Sequence, residues 1–125
     1  METIIWIAQG LLAAAMLGAG AMKLLRTKEQ LRESGSMDWT EDFAPAQIKG
    51  IGALEVLAAI GLVVPAALDI VPVVTPIAAA GVVLLMIGAG VTHARRGELA
   101  NLPVNVVLAG IAIFIAIERF GPHAP

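Results

Sequence analysis

Four apolar stretches, each close to the length that crosses a bilayer, constrain this chain more than any other feature. They run over residues 4–25, 46–66, 73–92 and 102–117, and a helix needs about 20 mostly apolar residues to span the hydrocarbon. The third and fourth carry no charge, and the first carries none before Lys23. The fourth is slightly short and reaches an interface through Glu118. Only 14% of the 125 residues are charged, against about a quarter in soluble domains. The expected fold is an all-α membrane protein, a four-transmembrane-helix bundle forming a single membrane domain over residues 1–125.

The first stretch is read as a retained helix and not a secretion signal. A signal carries positive charge before its apolar run, whereas here Glu2 precedes it and Lys23, Arg26 and Lys28 follow. Proline is expected to punctuate the rest. Pro65 and Pro72 bracket a tight turn with Asp69, and Pro76 and Pro103 fall in first turns, where the missing N–H is harmless. Asn101 is the expected N-cap of the last helix. The one long connection, about 26–45, carries Trp39 and Phe43, aromatic residues suited to the headgroup level.

Four spans place the first and third loops on one side, and both termini with the middle loop on the other. Lys23, Arg26, Lys28, Arg32, Lys49, Arg95 and Arg96 gather on the first side, Arg119 alone on the second. The positive-inside bias predicts a multi-pass protein of the cell membrane with basic loops in the cytoplasm and both termini outside it.

Lipid provides little hydrophobic drive between helices, so small residues mark helix contacts. Gly10, Ala14 and Gly18 form such a stripe on the first helix. Gly52, Ala59 and Gly61 lie on the second, Gly81, Gly88 and Thr92 on the third, and Asn105, Ala109, Ala112 and Ala116 on the fourth. These are expected packing surfaces, inside the bundle or in a homo-oligomer.

The polar residues within the spans are the candidate site. Lys49 lies in the first turn of the second helix, and Glu55 is roughly 9 Å deeper at 1.5 Å per residue. Lys23 leaves the first helix at a matching depth, His93 ends the third, and Asn105 is one turn inside the fourth. An intramembrane carboxylate is expensive unless paired. Lys23 is its expected partner, because Lys49 is about 120° away around the helix and its long stem can snorkel to the interface. Gly52 and Ala59 share the Glu55 face, which is therefore expected to point inward. Lys23, Lys49, Glu55, His93 and Asn105 are the candidate ligand-binding residues. A buried pair that only sets helix register is the competing reading.

The segments GAGAMKLL (18–25), KGIGALEVLAAIGLVVP (49–65), AAAGVVLLMIGAGVTHARRGE (78–98) and NVVLAGIAIFIAIERFGP (105–122) resemble the DoxX-like family of small four-helix membrane proteins. The likeness covers nearly the whole chain. It implies watching Lys23, Lys49, Gly52, Glu55, Gly61, Pro65, His93 and Asn105. It also implies a link to respiratory or redox metabolism, with redox partner subunits in the membrane.

With no cysteine, thiol relays and thiolate metal sites are excluded. Two histidines on opposite sides make no metal site, and no axial pair for haem is evident. A net charge of −2 without a basic domain argues against nucleic acid. No nucleophile accompanies Glu55, so no catalytic residue is assigned and intrinsic catalysis is not expected. The expected role is an integral membrane binding or accessory protein in the lipid bilayer. Its polar site would hold a quinone-like or lipid-like molecule through Lys23, Glu55 or His93. A small proton-coupled transporter using Glu55 and a purely structural membrane subunit are the alternatives.

Overall fold

A computed structural model of the chain describes residues 1–34 and 37–125. The apolar stretches fold as long helices: α1 (Glu2–Leu25), α3 (Pro45–Leu68), α4 (Val74–Arg95) and α5 (Leu102–Phe120). A short helix, α2 (Lys28–Glu33), and two 3-10 turns, Asp38–Asp42 and Leu99–Asn101, lie in the connections. All four long helices, the last counted from Leu99, are long and apolar enough to cross a membrane. Their outward faces expose Leu11, Leu57, Leu84 and Val106, which water would penalise and lipid accepts. The protein is a four-helix, multi-pass membrane protein.

The helices alternate in direction and pack in the order α1, α3, α4, α5, with α5 returning to α1. Contacts across the connections verify the alternation. Arg119 of α5 reaches Glu2 of α1 at the end holding both termini. At the opposite end, Arg96 after α4 donates to Asp42 in the first loop at 3.1 Å. Between the two ends lies an apolar core that includes Leu12, Met16, Leu62, Val82, Met86 and Ile115.

Small residues decide which faces meet, but only some of the expected stripes do so. Gly20 and Gly52 form the crossing of α1 and α3. A Cβ on Gly20 would stand 2.7 Å from the Gly52 carbonyl oxygen, and one on Gly52 would stand 2.8 Å from Lys23 Cβ. Gly61 serves α3 against α4, where a Cβ would lie 2.9 Å from Ala78 Cβ. Ala112 of α5 is fully buried. By contrast, Gly10, Ala14 and Gly18 face outward, and Gly10, Gly18, Gly81 and Gly88 have open space where a Cβ would go. An outward stripe and an inward stripe have the same spacing, so periodicity alone does not distinguish them.

Two local expectations also change. Pro65 does not end α3, which continues to Leu68 before Asp69 closes it in the left-handed region at φ 53°. Asn101 makes no capping bond to α5. It lies in the preceding 3-10 turn, and its amide nitrogen sits 3.2 Å from His93 Nδ1 instead. The start of α3 follows the simple rules: Pro45 occupies the first turn, and the Gln47 side chain accepts the Ala44 N–H at 2.8 Å.

Candidate functional site

The backbone crossing at Gly20 and Gly52 carries Lys23 against Glu55. Lys23 Nζ lies 2.8 Å from Glu55 Oε1, and both side chains are buried. The ammonium also donates a long 3.4 Å bond to the Ala19 carbonyl. Its approach to Oε1 is a charge contact lying off the favoured hydrogen-bond direction, which leaves that oxygen without a well-angled donor. Two unlike charges in a low-dielectric site attract strongly, and each removes the penalty of burying the other alone.

This pair forms one wall of a partly open cavity of about 420 Å³. All four long helices contribute to it, and it lies at the end of the bundle bearing the basic loops. Most of its lining is apolar, supplied by residues such as Met16, Ile51, Leu85 and Leu108. The volume lies in the range of small-molecule pockets, which combine apolar walls with a few placed polar groups. Exposed Leu84 and Gly88 belong to the wall, so the cavity reaches the lipid-facing surface.

The candidate residues separate into two sets. Lys23, Glu55, His93 and Asn105 all line the cavity. Lys49 does not. Its ammonium donates to the Leu24 carbonyl at 2.6 Å and the Arg26 carbonyl at 3.0 Å, closing the C-terminal end of α1. A helix end leaves its last carbonyls without intrahelical partners and carries partial negative charge, so a lysine there answers both.

Asn105 Nδ2 is buried with no hydrogen-bond partner among the described residues. Such a donor ordinarily costs about 1–3 kcal/mol. His93 is oriented from behind. Its Nδ1 lies 2.9 Å from Glu98 Oε1, and with the proton on Nδ1 donated to that carboxylate, Nε2 is the ring's second polar atom. No partner holds Nε2 among the described residues. His93 and Arg96 hold the Glu98 carboxyl below the usual glutamate range, because both donate hydrogen bonds to it.

The first loop covers this end of the bundle. Trp39 and Phe43 pack edge to face with centroids 5.5 Å apart, and both line the cavity. Lys23 Nζ lies 5.6 Å from the Trp39 ring centroid, within cation–π range. Ion pairs hold the loop down: Arg96 reaches Asp42 at 3.1 Å and Glu41 at 3.7 Å, while Arg32 reaches Glu41 at 3.0 Å. The Asp42 and Glu98 carboxylates keep the Arg96 guanidinium protonated above even its ordinary range.

A family model, described as the DoxX-like family, matches residues 7–115. The chain belongs to the DoxX-like family. That match runs from the first turns of α1 to the last turns of α5 and includes every candidate residue. No curated protein and no solved structure matches this DoxX-like chain.

A second polar cluster occupies the other end of this DoxX-like bundle, and sequence reasoning missed it. Arg119 is 3% exposed. Its Nε donates to Gln9 Oε1 at 2.8 Å, and its Nη1 donates to both Glu2 oxygens at 2.9 Å and to the His123 carbonyl at 3.0 Å. The guanidinium also lies 5.3 Å from the Trp6 ring centroid. Gln9 donates onward to the Leu62 carbonyl at 2.6 Å, one residue past the Gly61 carbonyl that Pro65 cannot serve. Neighbouring side chains commonly satisfy backbone groups loosened by an intramembrane proline. Gln9 is an uncharged amide inside the first apolar run, and that anomaly was the available signal.

Proposed function

We propose that this protein is a membrane binding subunit whose cavity holds a small amphipathic molecule bearing carbonyl-type oxygens, of quinone-like or lipid-like character. One observation carries the reading: the Asn105 amide N–H group, without a partner among the described residues, lines the same cavity as Lys23, Glu55 and His93. A carbonyl oxygen on the bound molecule accepts from Asn105 or from the Lys23 ammonium. Its apolar body lies along the Met16, Leu85 and Leu108 walls, and Trp39 and Phe43 cover the ring. The opening near Leu84 and Gly88 supports entry from the bilayer. As an accessory subunit the protein presents this molecule to a redox partner in the membrane and performs no chemistry of its own. The basic end faces the cytoplasm and both termini face outward, in keeping with the charge bias.

The test is titration of purified protein with a short-chain quinone, read by quenching of tryptophan fluorescence, alongside mass spectrometry of molecules that copurify. Saturable quenching is expected. Asn105→Leu should weaken it about tenfold, the equivalent of one lost hydrogen bond to a buried group, and Glu55→Gln should weaken it too by releasing the Lys23 ammonium it positions. Unchanged quinone and lipid binding, with only stability lost, would instead make the Lys23–Glu55 pair a device for helix register. Glu55-dependent proton flux in reconstituted vesicles would replace the binding reading with a transporter. Reporter fusions at either terminus test the orientation, and a cytoplasmic signal would reverse it.

A further inference from the structure

A second hollow, also of about 420 Å³, lies beside α1 and α3 outside the ligand cavity. Arg26, Lys28, Lys49 and Lys23 line it, with Glu29 as the only carboxylate among the described residues. Glu55 neutralises Lys23, so the hollow retains two more positive charges than negative ones. The cations are not equivalent. Lys49 is held by the Leu24 and Arg26 carbonyls, and Lys28 reaches the Glu41 carbonyl only at 3.5 Å. The Arg26 guanidinium is exposed and has no side-chain partner among the described residues. Immediately before it, Leu24 is 37% and Leu25 is 83% exposed. Charge therefore borders lipid-facing apolar surface at the end of a membrane span.

We propose that this hollow binds the headgroup phosphate of an anionic phospholipid, with an acyl chain running along Leu24 and Leu25. A guanidinium matches phosphate oxygens with a planar fork of donors, and basic pockets at the ends of membrane helices recruit anionic headgroups. Arg26 supplies the fork. Lys28 adds a point charge, and Lys49 holds the α1 terminus in place while adding its field. The occupant of the cavity beside Glu55 does not enter this assignment.

Native mass spectrometry of the detergent-solubilised protein, offered equal amounts of phosphatidylglycerol and phosphatidylcholine, tests it. Phosphatidylglycerol adducts should dominate, and Arg26→Gln should reduce them about fivefold, as expected for one interfacial cation. Arg26 makes no side-chain contact that the fold needs, so this variant should remain folded. Arg95→Gln removes an exposed charge from the basic end of α4 and should leave the adducts unchanged. Equal retention of the two lipids, or an equal loss in Arg95→Gln, overturns the site and reduces it to general surface charge. Displacement of the lipid by excess inorganic phosphate would show that acyl contact adds nothing, and would overturn the lipid assignment.

Discussion

Gly20 and Gly52 meet backbone to backbone, so closely that a methyl group on either would strike the carbonyl oxygen of the other. That contact sets the distance between α1 and α3. It also places Lys23, less than one turn beyond Gly20, beside Glu55, less than one turn beyond Gly52. The ion pair is therefore a consequence of the glycine crossing, and the cavity wall is a consequence of the ion pair.

Gly52→Ala and Gly20→Ala should each destabilise the protein by about 1–3 kcal/mol, the usual cost of overpacking a tight contact. The obstructing atoms include backbone, which cannot swing aside. Gly110→Ala, where a Cβ meets nothing within 4 Å, should be neutral or stabilising, since alanine favours the helix. Equilibrium unfolding in detergent checks all three, and equal behaviour would mean the crossing is loose.

Lys23→Met strands the Glu55 carboxylate in the bundle. Removal of one partner from a buried pair costs about 3–5 kcal/mol, whereas replacing both is often tolerated. The double variant Lys23→Met with Glu55→Leu should therefore unfold closer to wild type than Lys23→Met does. An additive loss in the double-mutant cycle would show that the two groups do not depend on each other.

Arg119→Lys keeps the charge at the far end of the bundle but loses the fork. An ammonium cannot serve Gln9, Glu2 and the His123 carbonyl in the same plane, so at least one buried bond is lost. The expected cost is about 1–3 kcal/mol, read from the same unfolding curves. Gln9→Leu should destabilise too, by exposing both Arg119 Nε and the Leu62 carbonyl to an apolar surround.

The junction of the two basic-side loops should respond to acid through Glu98. Its folded carboxyl titrates below the ordinary glutamate value, which is about 4.3. Its contribution to loop closure is therefore complete above that value and disappears as pH falls through the lower, folded one. Trp39 emission should stay constant from neutral pH down to the ordinary glutamate range and change only below it. Glu98→Gln should shift the neutral-pH signal toward the acid form and flatten that acid limb. An acid limb identical in the variant would assign the response to another carboxylate.

Much of the axial arrangement is legible in the amino-acid sequence. The spacing of Lys49, Glu55 and Asn105 from the ends of their spans set their depth, and alternation of the helices brought Lys23 and His93 to the same level. Depth says nothing of direction, and Lys49 turns away from the cavity to the α1 terminus. Arg119 looked like an ordinary charge at a helix end. Its burial depends on Gln9, 110 residues earlier, and no local pattern links the two. Trp39 and Phe43 were expected at the headgroups, and their place over the cavity depends on Arg96 pinning a loop more than fifty residues away.

The amino-acid sequence by itself determined the number of spans, their alternation and the gathering of basic residues at one end, because length, apolarity and charge are counted along the chain. The tertiary structure alone decided how far each helix turns about its own axis. Lipid tails and neighbouring helices are both apolar, so a membrane helix lacks the polar face that would mark its outside. Close contacts such as Gly20 on Gly52, and hydrogen bonds such as Arg119 to Gln9, choose the rotation, and they exist only after the helices have met.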